Sequence, residues 1–481
     1  MSVIENLEPK LLWKQFDEIR KIPRCSKHEE KIRKYVLDFA KKQGLETKTD
    51  KAGNVVIKKP ASPGMENKPT VVLQGHLDMV CEKNSDVDFD FSKDAIQLQR
   101  DGDKLLAKGT TLGADNGVGL ATSLAIMEDK SLKLGPIEAL FTVDEETGLT
   151  GAFSLGTDML EGKMLFNLDS EDWGVLTVGC AGGGDSDITL PIKKEKPSGD
   201  FVGLKINISG LRGGHSGVDI HEQRANAVKL LARILWKGSS KYGIKIVSIT
   251  GGDKHNAIPR EANAEILVDK KNRNDLEKMI NDEEKAILNE IKPIDPGFKL
   301  KISNGKVDNV LNEESQDKVL NLLNGLPHGV HKMSYDIEGL VQTSTNLSKI
   351  VTREKDVNIY LSSRSSIMSE LRYLRDQIRS IAELSGAKVV EEEPYPGWKP
   401  DLDSKILKIS KKVYKDKYGK DPKVEAIHAG LECGIIGEKY PGMEKISIGP
   451  TIKYPHSPEE QIHISTVEKF YDYLLAILKE V

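Results

Sequence analysis

A chain of 481 residues, 38% hydrophobic and 30% charged, is too long for one ordinary core and predicts two to four globular domains. Its 70 basic and 74 acidic residues are interspersed and leave a formal net charge of −4, which excludes a nucleic-acid footprint or a polybasic membrane surface and favours small partners. No apolar run approaches the ~20 residues of a membrane span, and residues 1–16 carry Glu5, Glu8, Lys10 and Lys14 where a secretory signal would be apolar. Cys25, Cys81, Cys180 and Cys433 are scattered without a CxxC pair and read as reduced thiols of a cytoplasmic protein, so the Asn-x-Ser matches at Asn207 and Asn346 are chance.

In chain order, residues 7–22 carry an amphipathic helix pattern stopped by Pro23. Ser26-Lys27-His28-Glu29 reads as a capping box for a second helix that runs to Gln43 and ends at Gly44. Residues 46–50 and 54–58 flank Ala52-Gly53 as a hairpin. Residues 70–73 then form an apolar, strand-forming run, and Gly75-His76-Leu77-Asp78 sets a histidine and a carboxylate on one strand face at its carboxyl end. That is the edge at which open α/β sheets bind ligands. Residues 96–100 and 104–107 enclose Asp101-Gly102-Asp103 as a second hairpin. Leu112-Gly113-Ala114-Asp115-Asn116-Gly117 is a glycine turn that feeds an apolar helix over residues 118–127. Two further buried strands, 137–143 and 164–168, end in Asp144-Glu145-Glu146-Thr147-Gly148 and Asp169-Ser170-Glu171. Strands alternating with helices predict an α/β layer architecture that gathers these carboxylates at one sheet edge.

The run Val178-Gly179-Cys180-Ala181-Gly182-Gly183-Gly184 has neither phosphate-loop spacing and reads as a flexible domain junction. Over residues 185–387 the pattern becomes strand, helix, strand in two similar rounds without acidic strand ends. Residues 202–209 precede Gly213-Gly214-His215 and a helix over 223–235, and residues 358–363 precede Arg364 and a helix over 369–384. A helix over 405–418, core strands at 424–427 and 445–448, and a closing helix over 465–481 return to the first sheet. The expected fold class is therefore α/β: a mixed-sheet domain of residues 1–184 and 388–481, interrupted by an inserted α/β sandwich at 185–387 with a faint internal duplication.

His76, Asp115, Glu146, Asp169 and His456 form the candidate metal set. Any one of these acidic residues alone is more often an N-cap or a solvated loop residue, but five candidate ligands are harder to dismiss. Two imidazoles and three carboxylates suit a pair of divalent ions with one bridging carboxylate. Zinc leads, and manganese or cobalt is acceptable to the same donors. Asp115, in its glycine-flanked turn, is the candidate bridge. Of the vicinal pair, Glu146 holds metal and Glu145 takes a proton from the attacking water.

Six stretches carry a resemblance to a known family: Gly75 to Lys83, Leu112 to Gly117, Asp144 to Gly148, Asn167 to Glu171, His428-Ala429-Gly430-Leu431-Glu432-Cys433-Gly434, and Tyr454-Pro455-His456-Ser457-Pro458-Glu459-Glu460. Over nearly its whole length the chain resembles the co-catalytic zinc metallopeptidases, which include aminoacylases, carboxypeptidases and tripeptidases. It is most similar to their aminoacyl-histidine (Xaa-His, carnosinase-like) dipeptidase branch. The resemblance implies two Zn2+ per subunit, one on His76 and Asp169, one on Glu146 and His456, with Asp115 bridging before a cis peptide bond. It implies that Asp78 orients His76 or its zinc, that Glu145 is the base, and that the inserted domain is a lid through which two copies dimerise. It further assigns His215 to the developing oxyanion, Asn256 and the Gly430 backbone to substrate contacts, and Arg364 to the substrate carboxylate. An aminoacylase or tripeptidase with the same centre, and a non-catalytic metal-dependent binding protein, are the alternatives. His28, His221, His255, His328, His331, His428 and His463 are read as surface or supporting residues.

Overall fold

The first apolar helix pattern folds as α1 (Lys10–Ile19), with Leu12, Trp13, Phe16 and Ile19 on its buried face. It is shorter than residues 7–22 because Pro9, which lacks an N–H, opens the helix rather than sitting inside it. The structure is a computed structural model and describes residues 3–481. Helix α2 (Glu30–Gln43) ends at Gly44, whose φ of 71° is the left-handed cap a glycine supplies. The expected capping box does not form. Ser26 Oγ instead donates to Asp78 Oδ2 at 2.8 Å, and Glu29 Oε1 accepts from the backbone N–H of Lys27 and of Asp144. An ionised carboxylate is a stronger acceptor than the alternatives the helix start offers.

Strands β1 (Glu46–Thr49) and β2 (Val55–Lys59) pair antiparallel as the expected hairpin. Strand β3 (Val71–His76) is buried at all six positions. Strands β4 (Leu98–Asp101) and β5 (Lys104–Ala107) form the second hairpin, extended by Gln461–His463 and Ile452–Lys453 into a small four-stranded sheet. Helix α3 (Ala114–Glu128) is apolar on all sides and buried along nearly its whole length. With β6 (Ile137–Thr142), β7 (Met164–Asn167) and β8 (Val175–Cys180), the main sheet runs β1, β2, β6, β3, β7, Glu444–Ser447, β8, Lys423–Ile427. In it β6, β3, β7 and Glu444–Ser447 are consecutive parallel neighbours. Four carboxyl ends therefore open at one edge, and each is followed by a loop that carries candidate site residues.

The chain divides into two compact units. The first comprises the chain up to Gly179, Trp398–Ala426 and Leu431–Val481, and the second Cys180–Gly397 with Ile427–Gly430. The glycine run expected as a flexible junction is strand on both sides of Ala181, β8 before it and Gly182–Pro191 after it. Glycines are needed there because neighbours crowd them: a Cβ on Gly182 would lie 2.5 Å from Gly397 N, and one on Gly183 2.4 Å from Tyr395 Oη. The second unit builds a nine-stranded sheet whose pairings are all antiparallel. Helices Ala227–Tyr242, Arg273–Ile291, Glu313–Gly325 and Met368–Leu384 supply Leu231, Leu235, Ile280, Leu320 and Leu374 to the apolar core under that sheet.

The reading of the cysteines is overturned as well. Cys25 and Cys81, read as reduced thiols, are joined by a disulfide, with Cα atoms 5.6 Å apart; Cys180 and Cys433 are buried and take no part in it. A parallel bridge between Cys25 and Met79 brings together sulfurs 56 residues apart, which no local spacing could reveal. Among the described residues no helix is long and apolar enough to cross a membrane.

Candidate dinuclear metal site

His76 closes β3 and is 1% exposed. Its Nε2 lies 3.0 Å from Asp115 Oδ1 and 3.4 Å from Asp169 Oδ1, and its Nδ1 lies 3.3 Å from Asp78 Oδ1. Asp115 stands in the first turn of α3 with extended backbone (φ −80°, ψ 115°), after Gly113 at φ 67° and before a cis peptide bond to Asn116. Its other oxygen, Oδ2, lies 3.1 Å from His456 Nε2, and that nitrogen is 2.9 Å from Glu146 Oε2. Asp169 follows β7 and is held by Asn116 Nδ2, which also donates to Leu168 O. His76, Asp115 and Asp169 thus offer one set of ligand atoms, and Asp115, Glu146 and His456 another, the atoms of each set lying within 4.8 Å of one another. Asp115 belongs to both.

The charges explain why such a cluster wants cations. Burial opposes the charge on His76, but Asp169, Asp115 and Asp78 outweigh it and hold the imidazole well above its ordinary range. His456, hydrogen-bonded to Asp115 and Glu146, is pushed up to about 11. Burial raises the Asp169 carboxyl to about 6 against the pull of His76. It likewise pushes Glu145 well above the carboxylate range; there the His76 charge opposes it, and the Asp169, Glu432 and Glu146 charges add to it. Asp78, although buried, is held low by His76, by the Glu145 backbone N–H and by Ser26. Without a cation these groups neutralise one another by sharing protons; divalent ions would replace those protons. The residues present fit that role. Glu146 Oε1 is buried without a partner, and imidazole nitrogen with carboxylate oxygen is a donor set that zinc, manganese and cobalt accept.

Asp78 does more than face His76. Its two oxygens accept the backbone N–H groups of Glu145 (3.0 Å) and Glu146 (3.2 Å), so one buried carboxylate positions both glutamates. Three supporting residues escaped the reading of the sequence. Arg24, 2% exposed, donates to the carbonyls of Leu77, Asp78 and Gly113. Glu432, 1% exposed, accepts from Gln74 Nε2 and Thr142 Oγ1. Glu460, 2% exposed, accepts four backbone N–H groups of residues 112–115. Glu432 and Glu460 stand inside motifs that carried the resemblance, and that was their only signal; Arg24 had none.

The second unit holds the other expected residues. His215 Nδ1 accepts the backbone N–H groups of Gly217 and Val218, which leaves the proton on Nε2 and makes that edge a donor. A Cβ on Gly217 would lie 3.1 Å from both His215 Cε1 and Arg364 Nε and 2.2 Å from His428 O, so this glycine lets three residues converge. Arg364 is 8% exposed, donates from Nη1 to Tyr395 Oη at 3.0 Å and leaves Nε buried without a partner. Asn256 is exposed, with its backbone carbonyl accepting from Ser216 N. Gly430 ends the Ile427–Gly430 segment, whose Ile427 and Ala429 carbonyls accept from Ala181 N. His428 is not a surface residue: it is 7% exposed and 2.7 Å from Ser344 Oγ.

A parallel-strand edge carrying two three-residue groups that could each hold a metal ion and that share one aspartate fits a dinuclear metal centre. The model of peptidase family M20/M25/M40 matches residues 72–480, and the chain belongs to that family. It is 40% identical over 482 residues to the cytosol non-specific dipeptidase of Escherichia coli (strain K12), covering 100% of this chain and 99% of the relative. It is similar to the crystal structure of aminoacylhistidine dipeptidase from Vibrio alginolyticus, with a TM-score of 0.94 and 44% identity over 100% of this chain and 98% of that one. The aminopeptidase PepT of Bacillus cereus shares the fold at a TM-score of 0.57 and 17% identity, over 98% and 99% of the two chains.

Proposed function

We propose that this protein hydrolyses unblocked dipeptides, with Xaa-His peptides such as β-Ala-His among its substrates, at a centre holding two Zn2+ ions. The observation that carries the reading is the Asp115 carboxylate, with one oxygen 3.0 Å from His76 and the other 3.1 Å from His456. A pair of bound divalent ions supplies Lewis acidity and brings the pKa of water towards ~7. The chain's residues do the rest. Glu145, fixed at its backbone by Asp78, accepts the proton of the attacking water and returns it to the leaving amine. Two cations beside it would lower its raised carboxyl and favour the ionised form that can accept a proton. His215, with its proton on Nε2, is suited to donate to the developing oxyanion. Arg364 offers a planar fork for the substrate carboxylate, and Asn256 and the Gly430 backbone contribute further contacts.

The names of the E. coli and V. alginolyticus proteins support the substrate class. A cytoplasmic site of action and a homodimer formed through the inserted unit belong to the same proposal; light scattering reads the second. The test of function is hydrolysis of β-Ala-His, other Xaa-His and non-histidine dipeptides, tripeptides and N-acetyl amino acids, by zinc-loaded and chelator-treated protein side by side. Metal-dependent cleavage confined to dipeptides is expected. Cleavage of only tripeptides or N-acetyl amino acids would replace this reading with the peptidase or deacylase alternatives, and no turnover by metal-loaded protein would favour a binding protein.

A further inference from the structure

The turn at residues 112–115 carries Asp115, the shared ligand, and is gripped from two directions by buried charged groups. Glu460 Oε2 accepts from Leu112 N (2.8 Å) and Gly113 N (2.9 Å), and Oε1 from Ala114 N (2.7 Å) and Asp115 N (3.2 Å). Arg24 Nη2 donates to the Gly113 carbonyl, and Nη1 to the carbonyls of Leu77 and Asp78. A side chain at Gly113 would strike Arg24 Nη2 at 2.7 Å and Met79 Sδ at 2.8 Å, so the turn has no slack towards the arginine.

Each grip leads to a different ligand. Glu460 lies four residues after His456, and its backbone N–H closes on Ser457 O at 3.0 Å, so it ties the Asp115 turn to the His456 loop. Arg24 ties the same turn to the end of β3, where His76 and Asp78 stand, and its own carbonyl accepts from Met79 N at 3.0 Å. We propose that Glu460 and Arg24 are positioning residues that set the bridging carboxylate of Asp115 at its spacing from His456 on one side and His76 on the other. This rests on the dinuclear reading above. Neither residue contributes an atom to the ligand sets; both act through the backbone of residues 112–115. Glu460 matters as a carboxylate because two oxygens serve four donors. A glutamine would keep one acceptor oxygen and turn an NH2 group towards N–H groups that can only donate.

The experiment is titration of metal-free protein with Zn2+ against a chromophoric chelator, for the native chain, Glu460→Gln and Glu138→Gln. Glu138 is the control: a carboxylate 2% exposed that also accepts backbone N–H groups, those of Glu161 and Gly162, but at the amino end of β6. The native protein is expected to take up two equivalents. Glu460→Gln should give a two-phase isotherm, with one equivalent weakened roughly 10- to 100-fold, the usual effect of removing a group that orients a ligand, while Glu138→Gln lowers thermal stability and leaves the isotherm unsplit. An isotherm for Glu460→Gln equal to the native one, or weakened uniformly, would overturn the proposal. Fewer than two equivalents on the native chain would instead overturn the dinuclear reading beneath it. If Glu460→Gln does not fold, Arg24→Lys is read in the same way, with the same split expected and the same outcomes against it.

Discussion

At Glu145 and Glu146 two adjacent carboxylates take different surroundings from one buried neighbour. Asp78 holds both backbones, Glu146 reaches His456 at 2.9 Å, and Glu145 is pushed well above the carboxylate range by burial, against the His76 charge. If Glu145 moves the proton, Glu145→Gln should lower kcat by roughly 10²- to 10⁴-fold while metal analysis still finds both ions; retained turnover would remove it from that role. His428 carries a second consequence. Burial, with Arg364 nearby, lowers its imidazole from 6.5 to about 3, so the folded state keeps it neutral. As pH falls below about 6.5 the unfolded chain takes up a proton that the folded chain refuses until about 3, so stability is lost across that window. His428→Gln should therefore narrow the difference between urea midpoints measured at about pH 7.5 and about pH 4.5. The candidate ligands were legible because strand-end spacing and residue type suffice to nominate them. His428 was not, because burial by residues distant in sequence decides its state.

At the level of elements, the site depends on how closely α3 approaches β3 and the loop after β7. A Cβ on Gly75 would sit 2.3 Å from Asn116 Oδ1, and one on Gly119 would sit 2.3 Å from the same atom and 2.7 Å from Leu168 O. Asn116 in turn holds Asp169. The backbone carbonyl cannot retreat as a side chain can, so Gly119→Ala should cost about 1–3 kcal/mol by overpacking. It should also weaken metal binding through the displaced Asn116. Denaturant unfolding and Zn2+ titration measure the two effects, and an unchanged denaturation midpoint would contradict the crowding. The helix, the two hairpins and the buried strands were readable from periodicity and turn residues. The capping box failed because its serine found the carboxylate of Asp78, 52 residues away.

At the level of the molecule, the candidate ligands belong to one unit and the substrate-contact candidates to the other. Ions bound only by the folded first unit stabilise that unit by mass action, about 4 kcal/mol at a free concentration near a thousand times Kd. Calorimetry of the full chain should show one transition that moves down on chelation and returns with Zn2+, while that of the second unit stays. A trace indifferent to chelator would speak against tight binding by the first unit.

Residue order alone determined the fold class, the acidic strand ends, the five candidate ligands and the family, because these follow from local periodicity, residue chemistry and motif spacing. Tertiary structure alone decided that Asp115 faces both histidines, that Asp78 holds both glutamates, that Arg24 and Glu460 grip the turn at residues 112–115, and that Cys25 meets Cys81. Each of these is a contact between segments far apart in the chain, and only the parallel order of β6, β3, β7 and Glu444–Ser447 brings their carboxyl ends to one edge.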